Sequence, residues 1–347
     1  LSQSRNKLIP FNFGLCLLNT GDNNAAIEAF QAAIQLDEKF IAAWGNIGTA
    51  LIKEGRHAEA LAATQKVLEL DPDDPDAHMN LGRIYKYLGN LDQALASTLK
   101  SLELKPDNPD AHINLGGIYK DLSNLDQALA STLKSLELKP DNPTTHMNLG
   151  GIYKDLGNLD QALASALKSL ELKPDNHSAL MNLSGIYKDL GNLDQALAYT
   201  LKSLELKPDN HSALMNLGGI YKNLGNLDQA LAYTLKSLEL KPGESKALCL
   251  LGVIKMALGE TEEARKDLLD AIENNPQEYA AYYELSNMLK TTEEAGELVE
   301  SIKSAKASEV TPHNRSLIEF TISNCFHKVE NYDEAAKHLQ LANKNKL

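Results

Sequence analysis

The chain has 347 residues, 43% of them hydrophobic, and a net charge of −13. That charge argues against a general nucleic-acid or anionic-membrane surface, because phosphates recruit clustered Lys and Arg. No run approaches the ~20 apolar residues needed to span a bilayer.

Internal repetition decides the organisation. Pro72, Pro106, Pro140, Pro174, Pro208, Pro242 and Pro276 are each 34 residues apart. Self-similarity at such a period predicts a helical solenoid, in which length counts units and not globular domains. Residues 1–278 hold eight units in this register: 7–40, 41–74, 75–108, 109–142, 143–176, 177–210, 211–244 and 245–278. The five from Pro75 to Glu244 are near copies, and the rest are diverged.

In chain order, the first unit carries Pro10 at its position 4, and its helix is expected to start there. In the unit 75–108 the apolar residues Ala77, Leu81, Ile84, Tyr85 and Leu88 recur at threes and fours, which makes one helical stripe. Asp74 is placed to cap that helix, Pro75 suits its first turn, and Gly89 supplies the left-handed residue that ends it. A second helix is predicted from about Leu91 to Leu104, with Leu91, Ala94, Leu95, Leu99 and Leu102 inward and Pro106 stopping it. Small residues at Gly82 and Ala94 imply a close approach of the two helices. After Glu278 the register fails. Tyr279–Asn287 opens another unit, but a shorter and more polar stretch replaces the expected turn and second helix. A final unit restarts at Ser316 and ends in the polar tail NKNKL. Residues 279–347 thus read as two divergent units that cap the solenoid or lead into further sequence. Opening at Leu1 without a methionine, the chain reads as a piece of a longer protein, and N-terminal targeting stays open.

With position 1 at Pro75, Leu81, Gly82 and Tyr85 fall at positions 7, 8 and 11, Ala94 at 20 and Pro106 at 32. The unit 41–74 repeats this with Trp44, Ile47, Gly48, Leu51, Ala60 and Pro72. The pattern resembles the tetratricopeptide repeat (TPR) family. The resemblance implies an all-α, right-handed superhelical solenoid of antiparallel helix pairs. It also implies that positions 2, 5, 6, 9, 12 and 13 line a concave groove.

Position 6 is asparagine in seven successive units: Asn12, Asn46, Asn80, Asn114, Asn148, Asn182 and Asn216. Duplication alone could have copied it through the block. Asn12 and Asn46 argue otherwise, because their units have changed elsewhere on that face, with Leu18 and Ile52 where the block has lysine. A carboxamide both donates and accepts, so it can pair with an extended backbone whatever the side chains. Packed helices lie about 8 to 10 Å apart and an extended chain advances about 3.3 Å per residue, so one rung would meet a ligand about every three residues. Such a ladder is similar to that of the O-linked N-acetylglucosamine transferases, whose asparagines hold substrate backbones.

Position 9 gives Gly117, Gly151, Gly185 and Gly219, where an interior helical glycine costs about 1 kcal/mol against alanine. A groove that admits another backbone would justify the glycines, and tolerance within a copied unit is the alternative. Position 12 gives Lys86, Lys120, Lys154, Lys188 and Lys222, accompanied by Asp121, Asp155 and Asp189. These read either as a mutually neutralising face or as a selector of acidic peptides. His78, His112 and His146 occupy the place the family gives to Trp and are expected to pack, not to bind metal. Cys16, Cys249 and Cys325 lie far apart without a CxxC or Cys/His cluster. They suggest neither disulfide nor zinc, and fit a reducing, cytoplasmic setting. No nucleophile-and-base constellation, phosphate loop or cofactor motif is found.

From about Glu293 to Ala342 the chain resembles the last TPR segment before the catalytic domain of bacterial TPR-sulfotransferase proteins. Leu298, Ile302, Asn314, Arg315, Leu317, Phe320, Tyr332, Asp333, Ala335, His338, Leu339 and Asn343 carry that resemblance. The sequence shows no Gly/Ser/Thr-rich loop for the sulfate donor PAPS. The resulting expectation is a non-catalytic arm that binds proteins or extended peptides, part of a larger modifying enzyme. The alternative is a scaffold, or a solenoid that self-associates through its end repeats.

Overall fold

The computed structural model describes residues 2–305 and 310–344, with side chains from Asn6 onward other than that of Pro312. Among these residues every regular element is an α-helix. They gather into two compact units, Leu1–Pro174 and Asp175–Leu347.

The first unit contains α1 (Ser2–Thr20) and α2 (Asn23–Leu36), α3 (Ile41–Lys53) and α4 (His57–Leu70), α5 (Pro75–Tyr87) and α6 (Leu91–Leu104), α7 (Pro109–Asp121) and α8 (Leu125–Leu138), and α9 (Pro143–Asp155) and α10 (Leu159–Leu172). The second contains α11 (His177–Asp189) and α12 (Leu193–Leu206), α13 (His211–Asn223) and α14 (Leu227–Leu240), α15 (Ser245–Leu258) and α16 (Thr261–Asn274), α17 (Tyr279–Asn287) and α18 (Thr292–Ala305), and α19 (Pro312–Lys328) and α20 (Tyr332–Lys344).

Local chemistry sets the helix ends. The Asp74 carboxylate accepts from the Ala77 amide at 2.7 Å, and Pro75 follows it in the first turn of α5. Asn108, Asn142 and Asn210 cap α7, α9 and α13 in the same way. Gly89 ends the α5 segment with φ +78°, a left-handed value that a Cβ resists. At the equivalent turn after α7 the chain carries Ser123, at φ 59°.

Packing joins each pair. Ser101 Oγ donates to the Pro75 carbonyl at 2.7 Å and Ser169 Oγ to that of Pro143 at 2.8 Å. In the second unit Ser203 and Ser237 donate likewise to His177 and His211. Tying the end of each second helix to the start of its first makes the pairs antiparallel. A Cβ built on Gly82 would stand 2.0 Å from Thr98 Oγ1 and 3.2 Å from the Ala94 carbonyl oxygen, so the helices approach as closely as the small residues imply. Successive first helices also touch one another: α3 with α5, α5 with α7 and α7 with α9 in the first unit, α13 with α15 and α15 with α17 in the second. They form an inner layer in each unit.

Three expectations are corrected. The buried face of α6 is Ala94, Thr98 and Ser101, and Leu99 is exposed; a helix wedged between neighbours approaches them through its small side chains and leaves its leucines at the flanks. Helix α1 does not start at Pro10 but carries it inside, because proline removes one amide hydrogen bond and bends a helix without necessarily ending it. The polar stretch after Asn287 does form a second helix, α18. Its apolar residues Ala295, Val299 and Ile302 are buried. A reciprocal cap starts it: the Glu294 amide donates to Thr291 Oγ1 at 3.2 Å and the Thr291 amide to Glu294 Oε2 at 3.1 Å. Residues 306–309 of that stretch and 345–347 of the tail lie outside the described residues.

Candidate functional site

The inner helices carry every asparagine of position 6. In the first unit Asn12 on α1 is exposed, Asn46, Asn114 and Asn148 are half-buried, and Asn80 is buried. Asn46 Nδ2 donates to its own helix at the Ala42 carbonyl, 2.7 Å away. Asn80 Nδ2 reaches Thr49 Oγ1 of the preceding repeat at 3.4 Å, a long and weak contact. Asn46 and Asn80 line one recess of about 250 Å³ together with Gly45, Thr49, Asp74 and Asp76. Asn114 differs. Its Nδ2 is buried and meets no hydrogen-bond acceptor, an arrangement that costs about 1 to 3 kcal/mol while it lasts.

In the second unit Asn182 and Asn216 are half-buried on α11 and α13. The same position continues as Leu250 and Glu284. Burial pushes the Glu284 carboxyl above the usual carboxylate range, opposed by the charge of Lys222 and a hydrogen bond with Asn287.

The lysines of position 12 pair with the aspartates of position 13, but across repeats. Lys86 Nζ stands 3.1 Å from Asp121, and Lys120 Nζ 3.2 Å from Asp155. These two lysines are therefore neutralised by the repeat that follows them. Where Asp121 and Asp155 stand for Lys86 and Lys120, the chain offers Lys188 only Asn223 and Lys222 only Ala257. Among the described residues neither Lys188 nor Lys222 makes an ion pair. Of the position 9 glycines, Gly117, Gly185 and Gly219 are half-buried and Gly151 is buried. A Cβ on Gly117 would meet only the end of the Lys86 side chain, at 3.4 Å, and one on Gly219 only Leu250 Cδ2, at 4.0 Å. At these two positions no packing contact requires glycine.

Other side chains have structural duties. His78, His112 and His146 each place Nε2 2.9 Å from the carbonyl oxygen of Pro72, Pro106 and Pro140. Trp44 Nε1 does the same to Glu38, also at 2.9 Å. In α3, α5, α7 and α9 position 4 is thus a ring nitrogen that ties the inner helix to the turn before it, which is the packing role the sequence implies, while α11 and α13 carry Leu180 and Leu214 there. Burial pushes the thiols of Cys249 and Cys325 up to about 12 and about 11, leaving both unreactive at neutral pH. Among the described residues no helix is long and apolar enough to cross a membrane.

Family comparisons agree with this architecture. Models described as tetratricopeptide repeat match residues 11–75 and 51–100, and a further one matches each of 109–142, 143–176, 177–210, 211–244 and 245–278; a TPR repeat model matches 82–123. The chain belongs to the tetratricopeptide repeat family. No curated protein matches it significantly in sequence. Among solved structures it is similar to a chain of the APC/C hetero-tetramer Cut9-Hcn1, with TM-score 0.68 and 15% identity over 85% of this chain and 55% of that one. IFIT1, solved as a monomeric mutant with Gppp-AAAA, gives TM-score 0.65 and 16% identity over 97% of this chain and 90% of that one. A tetratricopeptide repeat protein from Parabacteroides merdae gives TM-score 0.56 and 19% identity over 72% and 99%. These likenesses concern the fold. The chain spans only 55% of the Cut9-Hcn1 chain.

Proposed function

We propose that this chain is a non-catalytic binding module that holds extended protein segments along its inner helices, with Asn12, Asn46, Asn80, Asn114, Asn148, Asn182 and Asn216 as rungs. The observation that carries the reading is the Asn114 carboxamide, whose buried donor has no acceptor within the protein. Turned toward the groove, this half-buried carboxamide would find one in a peptide carbonyl. The recess shared by Asn46 and Asn80 offers two neighbouring rungs to one ligand. Gly117 and Gly219 keep the floor of the groove free of side chains. The net charge of −13 favours protein ligands over nucleic acid.

We further propose that the module is the substrate-recognition arm of a larger, sulfotransferase-like modifying enzyme, with 279–347 leading toward its catalytic part. It would work in the cytoplasm, where three separated thiols stay reduced.

Changing Asn80, Asn114, Asn148 and Asn182 together to Ala tests the ladder. Four hydrogen bonds, each contributing at least about 0.5 kcal/mol net, amount to a loss of about thirtyfold in affinity for an unbiased library of extended peptides. Equal binding by a folded variant sinks the ladder.

A second reading, self-association of the solenoid, has its own support. Leu99, Leu133 and Leu167 in the first unit, and Leu201, Leu235 and Leu269 in the second, recur at one place on the outer helices and are exposed. Sedimentation across a hundredfold range of concentration decides it: a constant monomer mass excludes this reading.

A further inference from the structure

Resting on the groove reading above, we infer that the second unit selects acidic segments, through two lysines that the repeat pattern has left without their aspartates. Pairing across repeats is what exposes this. Lys86 is matched by Asp121 and Lys120 by Asp155, one repeat further on. The same step from Lys188 arrives at Asn223, and from Lys222 at Ala257. Two cations therefore stand on the same helices as Asn182 and Asn216, in a protein whose net charge is −13. Glu284, the acid whose charge interaction with Lys222 is felt at longer range, is half-buried and its carboxyl is pushed upward by that burial. The two make no ion pair.

Lys188 and Lys222 occupy equivalent places on α11 and α13. Successive repeats advance by about one helix spacing, about 8 to 10 Å, and a polyproline II chain covers that span in three residues at about 3.1 Å each. The ligand that satisfies both lysines is an extended segment in the polyproline II form, whose side chains return to one side every third residue, with Asp or Glu at one position and again three residues later. Carboxamides at Asn182 and Asn216 would hold its backbone, and the lysines would read its side chains. The first unit, whose lysines Lys86 and Lys120 are already paired, would bind the backbone without that preference.

The test titrates the full chain with two extended peptides of equal length, one with Glu at both positions and one with Gln, and with a single-stranded RNA of similar length. Two opposite variants are compared with the wild type. Lys188→Gln with Lys222→Gln removes the cations. Asn223→Asp with Ala257→Asp keeps the lysines and restores the missing partners; aspartate already ends α7, α9 and α11 at that place, so the fold tolerates it. The wild type is expected to prefer the Glu peptide by about fivefold to tenfold at low salt, as two exposed ion pairs allow. Both variants lose the preference and keep the affinity for the Gln peptide, while Lys86→Gln with Lys120→Gln retains it. Equal binding of the two peptides by the wild type overturns the acidic selection and leaves the groove reading standing. A preference that survives Asn223→Asp with Ala257→Asp also overturns it. Failure of every peptide to bind overturns both readings. RNA binding tighter than that of the Glu peptide, and lost in Lys188→Gln with Lys222→Gln, assigns the lysines to phosphate and overturns the acidic-peptide proposal.

Discussion

The pair α7 and α8 and the pair α17 and α18 join their helices by opposite means. In the first, glycine does it: a Cβ on Gly116 would stand 2.2 Å from Thr132 Oγ1 and 3.2 Å from the Ala128 carbonyl oxygen. In the second, bulk does it. Tyr282 is among the largest fully buried side chains, its hydroxyl lies 3.3 Å from Ser301 Oγ, and Tyr279, Ile302, Ile318 and Ile322 pack around it. Contact at van der Waals distance can be reached by bringing backbones together or by filling the space between them. A solenoid unit can diverge from one solution to the other and still stack, because each repeat answers only to its neighbours.

The difference predicts different responses to substitution. Tyr282→Ala should have the largest effect, a loss of about 3 to 5 kcal/mol from a large cavity, read as earlier melting of the second unit in hydrogen exchange. A small shift there would mean that α17 and α18 collapse around the gap. Gly116→Leu should cost about 1 to 3 kcal/mol by overpacking. Gly116→Ser should cost less, since Ser184 already stands at the equivalent place in α11 and hydrogen-bonds to Thr200 Oγ1 at 2.6 Å and to the Ala196 carbonyl at 3.0 Å. Thermal midpoints of the two variants that fall together would show that close approach is not what holds the pair. The smallest effect belongs to the turn after α7, where Ser123 takes φ 59° and Gly157 takes φ +77° at the same place in the next repeat. Ser123→Gly should stabilise the chain by about 0.5 to 1 kcal/mol in denaturant unfolding, by relieving a left-handed serine.

Much of this was legible in the residues. Caps such as Asp74 and the proline at N1 act within a few residues of themselves, so the start of α5 reads correctly, whereas that of α1, which carries Pro10 inside, does not. Ring nitrogens at position 4 also behave as packing groups. The start of α18 was legible too, in the Thr291–Glu294 cap and the spacing of Ala295, Val299 and Ile302, but a register tied to the 34-residue period hid it. The buried face of the second helices was less accessible. Leu99 and Thr98 are neighbours in sequence, and hydrophobicity alone favours burying the leucine. Thr98 wins because it faces Gly82, where only a small side chain fits.

The candidate site divides in the same way. Position 6 stands out from repetition and divergence alone, yet nothing in the sequence separates Asn46, which bonds within its own helix, from Asn114, which bonds to nothing. The charges show why. Reading along the chain couples Lys120 to Asp121 and Lys188 to Asp189, each to its neighbour, and leaves Lys86, followed by Tyr87, without one. Side chains on adjacent positions of a helix point apart, so the true partner of Lys86 is Asp121 in the next repeat and that of Lys120 is Asp155. The sequence by itself determined the period, the family and the caps, because each depends on local chemistry or on direct self-comparison. Only the stacking of repeats decided which amides and which lysines are left over, because a leftover is defined by what a distant residue fails to provide.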